Sequence, residues 1–163
     1  MIKNILKDKE DTYELVWFGS TDFSKLNPVK QVYGVLFNKK GEIVIVNTSG
    51  NWQLPGGKPE DNESFEETLI REVDEEVDVD ISDIKPLGYQ KVIHYEKDKR
   101  VSVTYQLRYF ALVKKVKKQT IDPAHNKIPV RKFINPDEFL NYCPWSDIGK
   151  AIIKKAKNQF QNI

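Results

Sequence analysis

Short runs of β-branched and aromatic residues dominate the early part of the chain and predict β-strands. The runs at 31–37 (QVYGVLF) and 42–46 (EIVIV) are separated by the turn-forming segment 38–41, so they predict a β-hairpin. The segment NWQL at 51–54 predicts a short strand. Pro55-Gly56-Gly57 ends that strand in a loop whose backbone, lacking bulky side chains, can approach other groups closely.

The later part of the chain predicts a second, longer hairpin. Its strands lie at 88–95 and 101–113, and the charged segment 96–100 joins them. Residues 78–86 are mostly polar and predict an irregular connection leading into this hairpin. One more strand is predicted at 128–134.

Three segments carry helix signals. The most regular one spans 63–77, where Ser64 or Asn62 can act as the N-cap and acidic residues fill the first turn. A short helix is predicted to start at 135–137, and 146–160 reads as a final amphipathic helix. Strands and helices together predict a single mixed α/β domain.

The first 28 residues contain no motif. A short strand or arm is expected around 13–18, followed by a loop that closes on Asn27-Pro28. The chain shows no internal repeat and no clear linker, so we expect an N-terminal arm at 1–28 and one domain at 29–163.

The helix at 63–77 combines an apolar face with glutamates at one edge of that face. Glu72 and Glu76 lie four residues apart, and such a like-charged pair costs about 0.2–0.5 kcal/mol on an isolated helix. A hard divalent cation such as Mg²⁺ removes this conflict. A solvated acidic helix is the alternative that the helix alone leaves open. The apolar residues are Phe65, Leu69, Ile70, Val73 and Val77, and the glutamates are Glu72, Glu75 and Glu76.

The glycine loop and the helix share one spacing pattern. It resembles the signature of the Nudix hydrolases, Gx5Ex7REUxEExGU, in which U is a bulky aliphatic residue. The one departure is Asp78, where the family usually has glycine; we expect altered local geometry with activity retained, because every charged position is intact. The matching positions are Gly57, Glu63, Arg71-Glu72-Val73, Glu75-Glu76 and Val79.

The resemblance implies a fold and a reaction. Nudix proteins are α/β/α sandwiches around a mixed β-sheet, and most hydrolyse a nucleoside diphosphate linked to another moiety. Such a nucleotide pyrophosphohydrolase depends on Mg²⁺, with Mn²⁺ as a substitute. The metal neutralises the diphosphate, and a metal-bound water attacks phosphorus.

The resemblance also implies roles for individual residues. Arg71, four residues from both Glu67 and Glu75, is expected to orient the carboxylates, and Glu63 to support them through the loop. One of the signature glutamates, or an acid outside the helix, would take the proton of the attacking water. The expected metal ligands are Glu72, Glu75, Glu76 and the backbone carbonyl of Gly57 or Gly56.

The sequence does not identify the nucleotide. Candidate substrate-binding residues are aromatic or basic side chains on predicted strands: Tyr33, Phe37 and Arg108. Candidates for an extra metal ligand are Glu96, Asp98 and Glu138.

Two other functions remain open. One is a Nudix-like domain without turnover that senses nucleotides or acts as a scaffold, although such domains tend to lose signature carboxylates. The other is an enzyme acting on capped or triphosphorylated RNA, which would need a basic groove.

Charge and composition refine this interpretation. The 163 residues carry a net charge of only +2, yet 12 of the 24 acids lie at 60–83 with Arg71 as the single base. The basic remainder suits a polyanionic substrate, so nucleic acid is an open but not favoured partner.

A lone cysteine, Cys143, is expected to pack in the core. No apolar run approaches the length of a membrane span, and we expect a cytoplasmic protein of undetermined oligomeric state.

Overall fold

The computed structural model describes residues 1–163 and is organised around one large mixed β-sheet. The elements in chain order are β1 (Ile2–Asp8), β2 (Asp11–Phe18), β3 (Val29–Phe37), β4 (Ile43–Asn47), β5 (Trp52–Gln53), β6 (Gly56–Gly57), α1 (Phe65–Val77), β7 (Val79–Glu96), β8 (Lys99–Val116), β9 (Val130–Ile134), a 3₁₀ turn (Pro136–Glu138), α2 (Phe139–Tyr142) and α3 (Ser146–Gln161).

The sheet is mixed because β3 and β8 run parallel while all other pairs are antiparallel. Its strand order is β1-β2-β7-β8-β3-β4-β5, with β6 paired to β3 and β9 paired to β4. Successive side chains of a strand point to opposite faces. The central strands β3 and β4 are therefore apolar on both faces and can be covered on both sides.

Helices cover the two faces of the sheet. On one face, Leu69 and Val73 of α1 pack in a cluster with alternate residues of β3 and β4 such as Val32. On the other face, Ile148 and Ile152 of α3 pack with the intervening residues, and Cys143 is buried in the same cluster. The predicted α/β/α sandwich is confirmed, as is the buried position of Cys143.

Local sequence signals fix the ends of α1. Ser64 caps the helix and forms a reciprocal capping box with Glu67, so the helix begins two residues later than predicted. It ends at Asp78, which adopts the left-handed conformation with φ 49° and ψ 51°. Asp78 thus takes the conformation that glycine favours, and the expected change in local geometry is not observed. Ile70 is 48% exposed, so its predicted place on the buried face was wrong.

Two strand predictions were wrong. Residues 78–86 are not an irregular connection, because β7 starts at Val79 and pairs with β8 through several bulges. The hairpin predicted at 31–46 is reduced to one pair, Phe37 with Ile43. The strand β4 instead uses β9 as its main partner, and β3 pairs in parallel with β8. The composition of a segment indicates that it forms a strand, but not which strand it pairs with.

The N-terminal segment joins the same sheet. The strand expected around 13–18 is confirmed as β2, and the strand β1, missed in the sequence, pairs antiparallel with it. The strand β2 then pairs with β7, and Trp17 is buried in the α3-side cluster. None of the helices combines the length and the apolar character needed to cross a membrane.

Candidate active site

The glycine loop places its backbone against the C-terminal half of α1. Gly56 has φ +149°, and a side chain there would collide with the backbone of Val32 and Tyr33. This conformation turns the Gly56 N–H toward α1, where it donates a hydrogen bond of 3.0 Å to Oε2 of Glu76. Glycine is therefore required both for the turn and for the contact with the helix.

Glu76 is the most buried glutamate of the site. It is 5% exposed, and the only hydrogen bond to its carboxylate comes from Gly56. Burial, with smaller contributions from Glu72 and Asp122, raises the pKa of Glu76 to about 8. No arginine or lysine pairs with it. A buried carboxylate in such surroundings favours either a proton or a bound cation.

Arg71 organises the other carboxylates. Its Nε and Nη2 donate to the two carboxylate oxygens of Glu63 at 2.5 and 3.0 Å, a two-point contact. Its Nη1 donates to Oε1 of Glu72 at 2.8 Å and lies 3.5 Å from Oε2 of Glu75. The sequence also allowed a pair with Glu67, but that side chain belongs to the capping box. These hydrogen bonds lower the pKa of Glu63 to about 2, so it stays ionised.

Gly57 allows Glu72 to reach the loop. A methyl group at Gly57 would overlap the Glu72 carboxylate. Burial raises the pKa of Glu72, and the hydrogen bond from Arg71 acts in the opposite direction. Burial also raises the pKa of Glu75, which is 29% exposed at its side chain. The pair of glycines thus lets the loop backbone lie directly against the carboxylates of Glu72 and Glu76.

Hard oxygen donors of this kind suit Mg²⁺ or Mn²⁺. No three His, Cys, Asp or Glu side chains converge closely enough here to hold an ion already. The carboxylates instead contact Arg71 and Gly56. The chemistry of this donor set fits a divalent cation.

A carboxylate outside α1 faces this cluster, and sequence inspection missed it. Asp122 is 1% exposed, in the loop between β8 and β9, and its charge raises the pKa of Glu72, Glu75 and Glu76. The only sequence signal was an isolated aspartate followed by Pro123. The extra ligands considered from the sequence lie on exposed positions and do not act on these glutamates; they are Glu96, Asp98 and Glu138.

A cavity of about 250 Å³ lies on the α3 side of the sheet. Two of the candidate substrate-binding residues, Tyr33 and Arg108, line it. Phe37 does not, because it is 1% exposed and stacks on Phe160 of α3 at 4.6 Å. Its proposed contact with substrate was wrong. Trp145, just before α3, completes the cavity wall and was not selected in the sequence.

Comparison with known proteins identifies the family. The sequence model of the NUDIX domain matches residues 27–160. The chain belongs to the Nudix family.

Related sequences are enzymes that act on nucleotides or RNA. The chain is 32% identical over 80 residues to the 8-oxo-dGTP diphosphatase of Proteus vulgaris, an alignment covering 45% of this chain and 70% of that protein. It is 36% identical over 70 residues to the RNA pyrophosphohydrolase of Haemophilus influenzae, covering 41% of this chain but only 36% of that enzyme. The prediction of a hydrolase of the Nudix family is confirmed.

A solved structure shows the same fold over nearly the whole chain. The pyrophosphohydrolase BsRppH of Bacillus subtilis, crystallised as a mutant, superposes with a TM-score of 0.72 and 23% sequence identity. The match covers 96% of this chain and 97% of that one.

Asp78, the departure from the Nudix signature, has a structural role of its own. Its carboxylate accepts hydrogen bonds of 2.8 Å from the backbone N–H and the hydroxyl of Thr120. Glycine could not make these bonds. The substitution therefore ties the end of α1 to the loop that carries Asp122.

Proposed function

We propose that this Nudix hydrolase cleaves a phosphoanhydride bond in a nucleoside diphosphate linked to another moiety, with Mg²⁺ or Mn²⁺ as cofactor. The observation that carries the proposal is Glu76, a buried carboxylate close to two others and without a basic partner. Burying an ionised carboxylate on folding lowers the stability of the protein unless a cation compensates its charge. The proposed ligands are Glu72, Glu75, Glu76 and the carbonyl of Gly57.

Bound metal would neutralise the diphosphate and promote ionisation of the attacking water. The chain's own residues position this chemistry. Gly56 holds Glu76 through its N–H, and Arg71 fixes Glu72 and Glu75 while it is held by Glu63. Two hydrogen bonds between Arg71 and Glu63 restrict the guanidinium to one orientation, so the carboxylates on either side are fixed as well.

The names of the relatives support a nucleotide substrate. They include an 8-oxo-dGTP diphosphatase and an RNA pyrophosphohydrolase, both of which act on phosphate chains attached to a nucleoside. We favour a small nucleotide over RNA, because the alignment covers 70% of the 8-oxo-dGTP diphosphatase but only 36% of the RNA pyrophosphohydrolase. We also propose that residues 1–28 form an extension of the catalytic domain at 29–163. The cytoplasmic location stays a prediction.

Hydrolysis assays test the proposal. Nucleotide sugars, dinucleoside polyphosphates and nucleoside triphosphates, including oxidised forms, are incubated with Mg²⁺, Mn²⁺ or EDTA. We expect metal-dependent release of a mononucleotide, pyrophosphate or phosphate, and a loss of about 100-fold or more in Glu76→Gln. The matched control is Glu66→Gln, at an exposed position of the same helix. Nucleotide binding without turnover on the whole panel would instead indicate a sensing domain.

A further inference from the structure

Arg108 is a buried cation without an acidic partner. It lies on β8 and is 2% exposed. Its Nη1 donates to the carbonyl of Leu107 at 3.1 Å, and its Nη2 donates to Oε1 of Gln106 at 3.1 Å. Its Nε has no hydrogen-bond partner. A guanidinium has five N–H donors, so three of them, including the buried Nε–H, make no hydrogen bond.

Such a residue is unfavourable for stability. An unpaired buried charge costs several kcal/mol, and replacing buried ionic groups by apolar side chains is often neutral or stabilising. Burial lowers the pKa of Arg108 to about 10, so it still carries its charge at neutral pH. A buried cation with this cost and no acidic partner is expected to bind something that the free protein does not contain.

The surroundings of Arg108 define the shape of that ligand. The guanidinium carbon lies 4.7 Å from the ring centre of Tyr33 and 5.4 Å from that of Trp145. The amides of Gln90 and Gln106 form one side of the cavity, joined by a hydrogen bond of 3.2 Å. The remaining lining is mainly apolar, comprising Leu6, Leu15, Pro144 and Ile148, with Asn4 as a further amide.

Tyr33 connects this cavity to the carboxylates. It pairs with Gly56 across β3 and β6, and the N–H of Gly56 holds Glu76. The charges of Glu76 and Glu72 add to burial in raising the pKa of the Tyr33 hydroxyl, whereas Arg108 lowers it. Tyr33 therefore lines the cavity while it lies within electrostatic range of the carboxylates.

We propose that Arg108 is a specificity-determining residue that binds the O6 and N7 edge of a guanine-type base in this cavity. The inference rests on the proposed function and names the base of its substrate. Arginine donates two hydrogen bonds to O6 and N7 of guanine, whereas adenine presents an amino group at position 6, which is itself a donor. Tyr33 and Trp145 supply flat aromatic walls suited to a base.

A phosphate group fits the cavity less well than a base does. Arg108 is the only cationic residue of the lining, and apolar and aromatic side chains make up half of it. Phosphate sites instead combine several N–H groups or basic side chains. A volume of about 250 Å³ is below the roughly 300–1,000 Å³ of sites for drug-sized ligands, so it suits one base.

Binding of mononucleotides in EDTA tests the inference without the metal and without turnover. We expect GMP and IMP, which share O6 and N7, to bind about 10- to 100-fold more tightly than AMP by calorimetry. Because all three carry the same phosphate, the difference reports on the base alone. Equal affinities for the three, or an IMP affinity equal to that of AMP, would overturn the assignment even if the enzyme proves to be an active hydrolase.

Variants of Arg108 provide a second arm of the test, beside the comparison of mononucleotides on the wild type. Arg108→Met should abolish the preference for GMP while its Tm without ligand stays equal to or above that of the wild type, because the buried charge is gone. Arg108→Lys keeps the charge but not the two-point donor, so it should also lose the preference. Arg100→Met, at an exposed position near the start of β8, is the matched control and should keep it.

The two arms separate the possible results. A preserved preference for GMP in Arg108→Met contradicts the role of Arg108. A preference for GMP that survives in Arg108→Lys shows that the two-point contact is not what selects the base, and it also contradicts that role. If Arg108→Met does not fold, Arg108→Lys takes its place in deciding the role of Arg108. Selective GMP binding with no hydrolysis of any nucleotide would support the inference and refute the proposed function.

Discussion

Replacing Glu76 by glutamine tests two effects of its buried charge, the loss of folding stability and the contribution to catalysis. Glu76 is 5% exposed, and burial together with Glu72 and Asp122 raises its pKa to about 8. Glutamine has nearly the same shape and can still accept the hydrogen bond from Gly56, but it does not ionise. The variant should therefore be inactive and, at alkaline pH without metal, more stable than the wild type.

The magnitude follows from proton linkage. The ordinary pKa of glutamate is 4.5, so between pH 4.5 and about 8 the folded protein retains a proton that the unfolded chain releases. The stability of the wild type therefore falls as pH rises through this window. A tenfold change in proton affinity corresponds to 1.36 kcal/mol, which sets an upper limit of about 5 kcal/mol. We expect about 2 kcal/mol, because the neighbouring carboxylates titrate together with Glu76.

Urea unfolding in EDTA at pH values from about 5 to about 8.5 measures this effect. The wild type and Glu66→Gln should lose stability across the range, whereas Glu76→Gln should lose much less. Added Mg²⁺ should stabilise the first two proteins at the alkaline end and leave Glu76→Gln unchanged. Parallel pH profiles for the wild type and Glu76→Gln would show that ionisation of Glu76 does not oppose folding, and would refute this reasoning.

Three other substitutions have distinct expected outcomes. Gly57→Ala should fold normally but bind Mg²⁺ at least about tenfold more weakly by calorimetry, because the added methyl group displaces the flexible Glu72 carboxylate. Arg71→Lys should lower kcat roughly 10- to 100-fold with little change in KM, since lysine cannot hold several carboxylates at once; a change in KM alone would contradict this. Asp78→Gly should lower the free energy of unfolding in urea by about 1–2 kcal/mol, because the hydrogen bonds from Thr120 are lost. Asp78→Ala should lower it by about 1 kcal/mol more, because alanine disfavours the left-handed backbone at this position.

Features that depend on short stretches of chain were predictable from the sequence. The capping box at Ser64, the helix that follows it and the spacing of Arg71, Glu72 and Glu76 all lie within one segment, where helical geometry fixes relative positions. The glycine loop was recognisable for the same reason. The spacing of these residues indicated the family and the expected reaction. It could be interpreted without the tertiary structure, because side chains four residues apart lie on the same face of a helix in any fold.

Pairing and burial between distant segments were decided only by the tertiary structure. Tyr33 and Phe37 lie four residues apart on one face of β3, yet α3 covers Phe37 with Phe160 while Tyr33 borders a cavity beside Trp145. Asp122 acts on the glutamates only because the loop after β8 places its charge within electrostatic range of them, and Arg108 lacks an acidic partner only because no acid lies near it. The sequence by itself therefore determines which charged side chains α1 carries. Which distant residues lie near them is decided by the packing of α3 and the loops on the sheet, because such contacts depend on the fold of the whole chain.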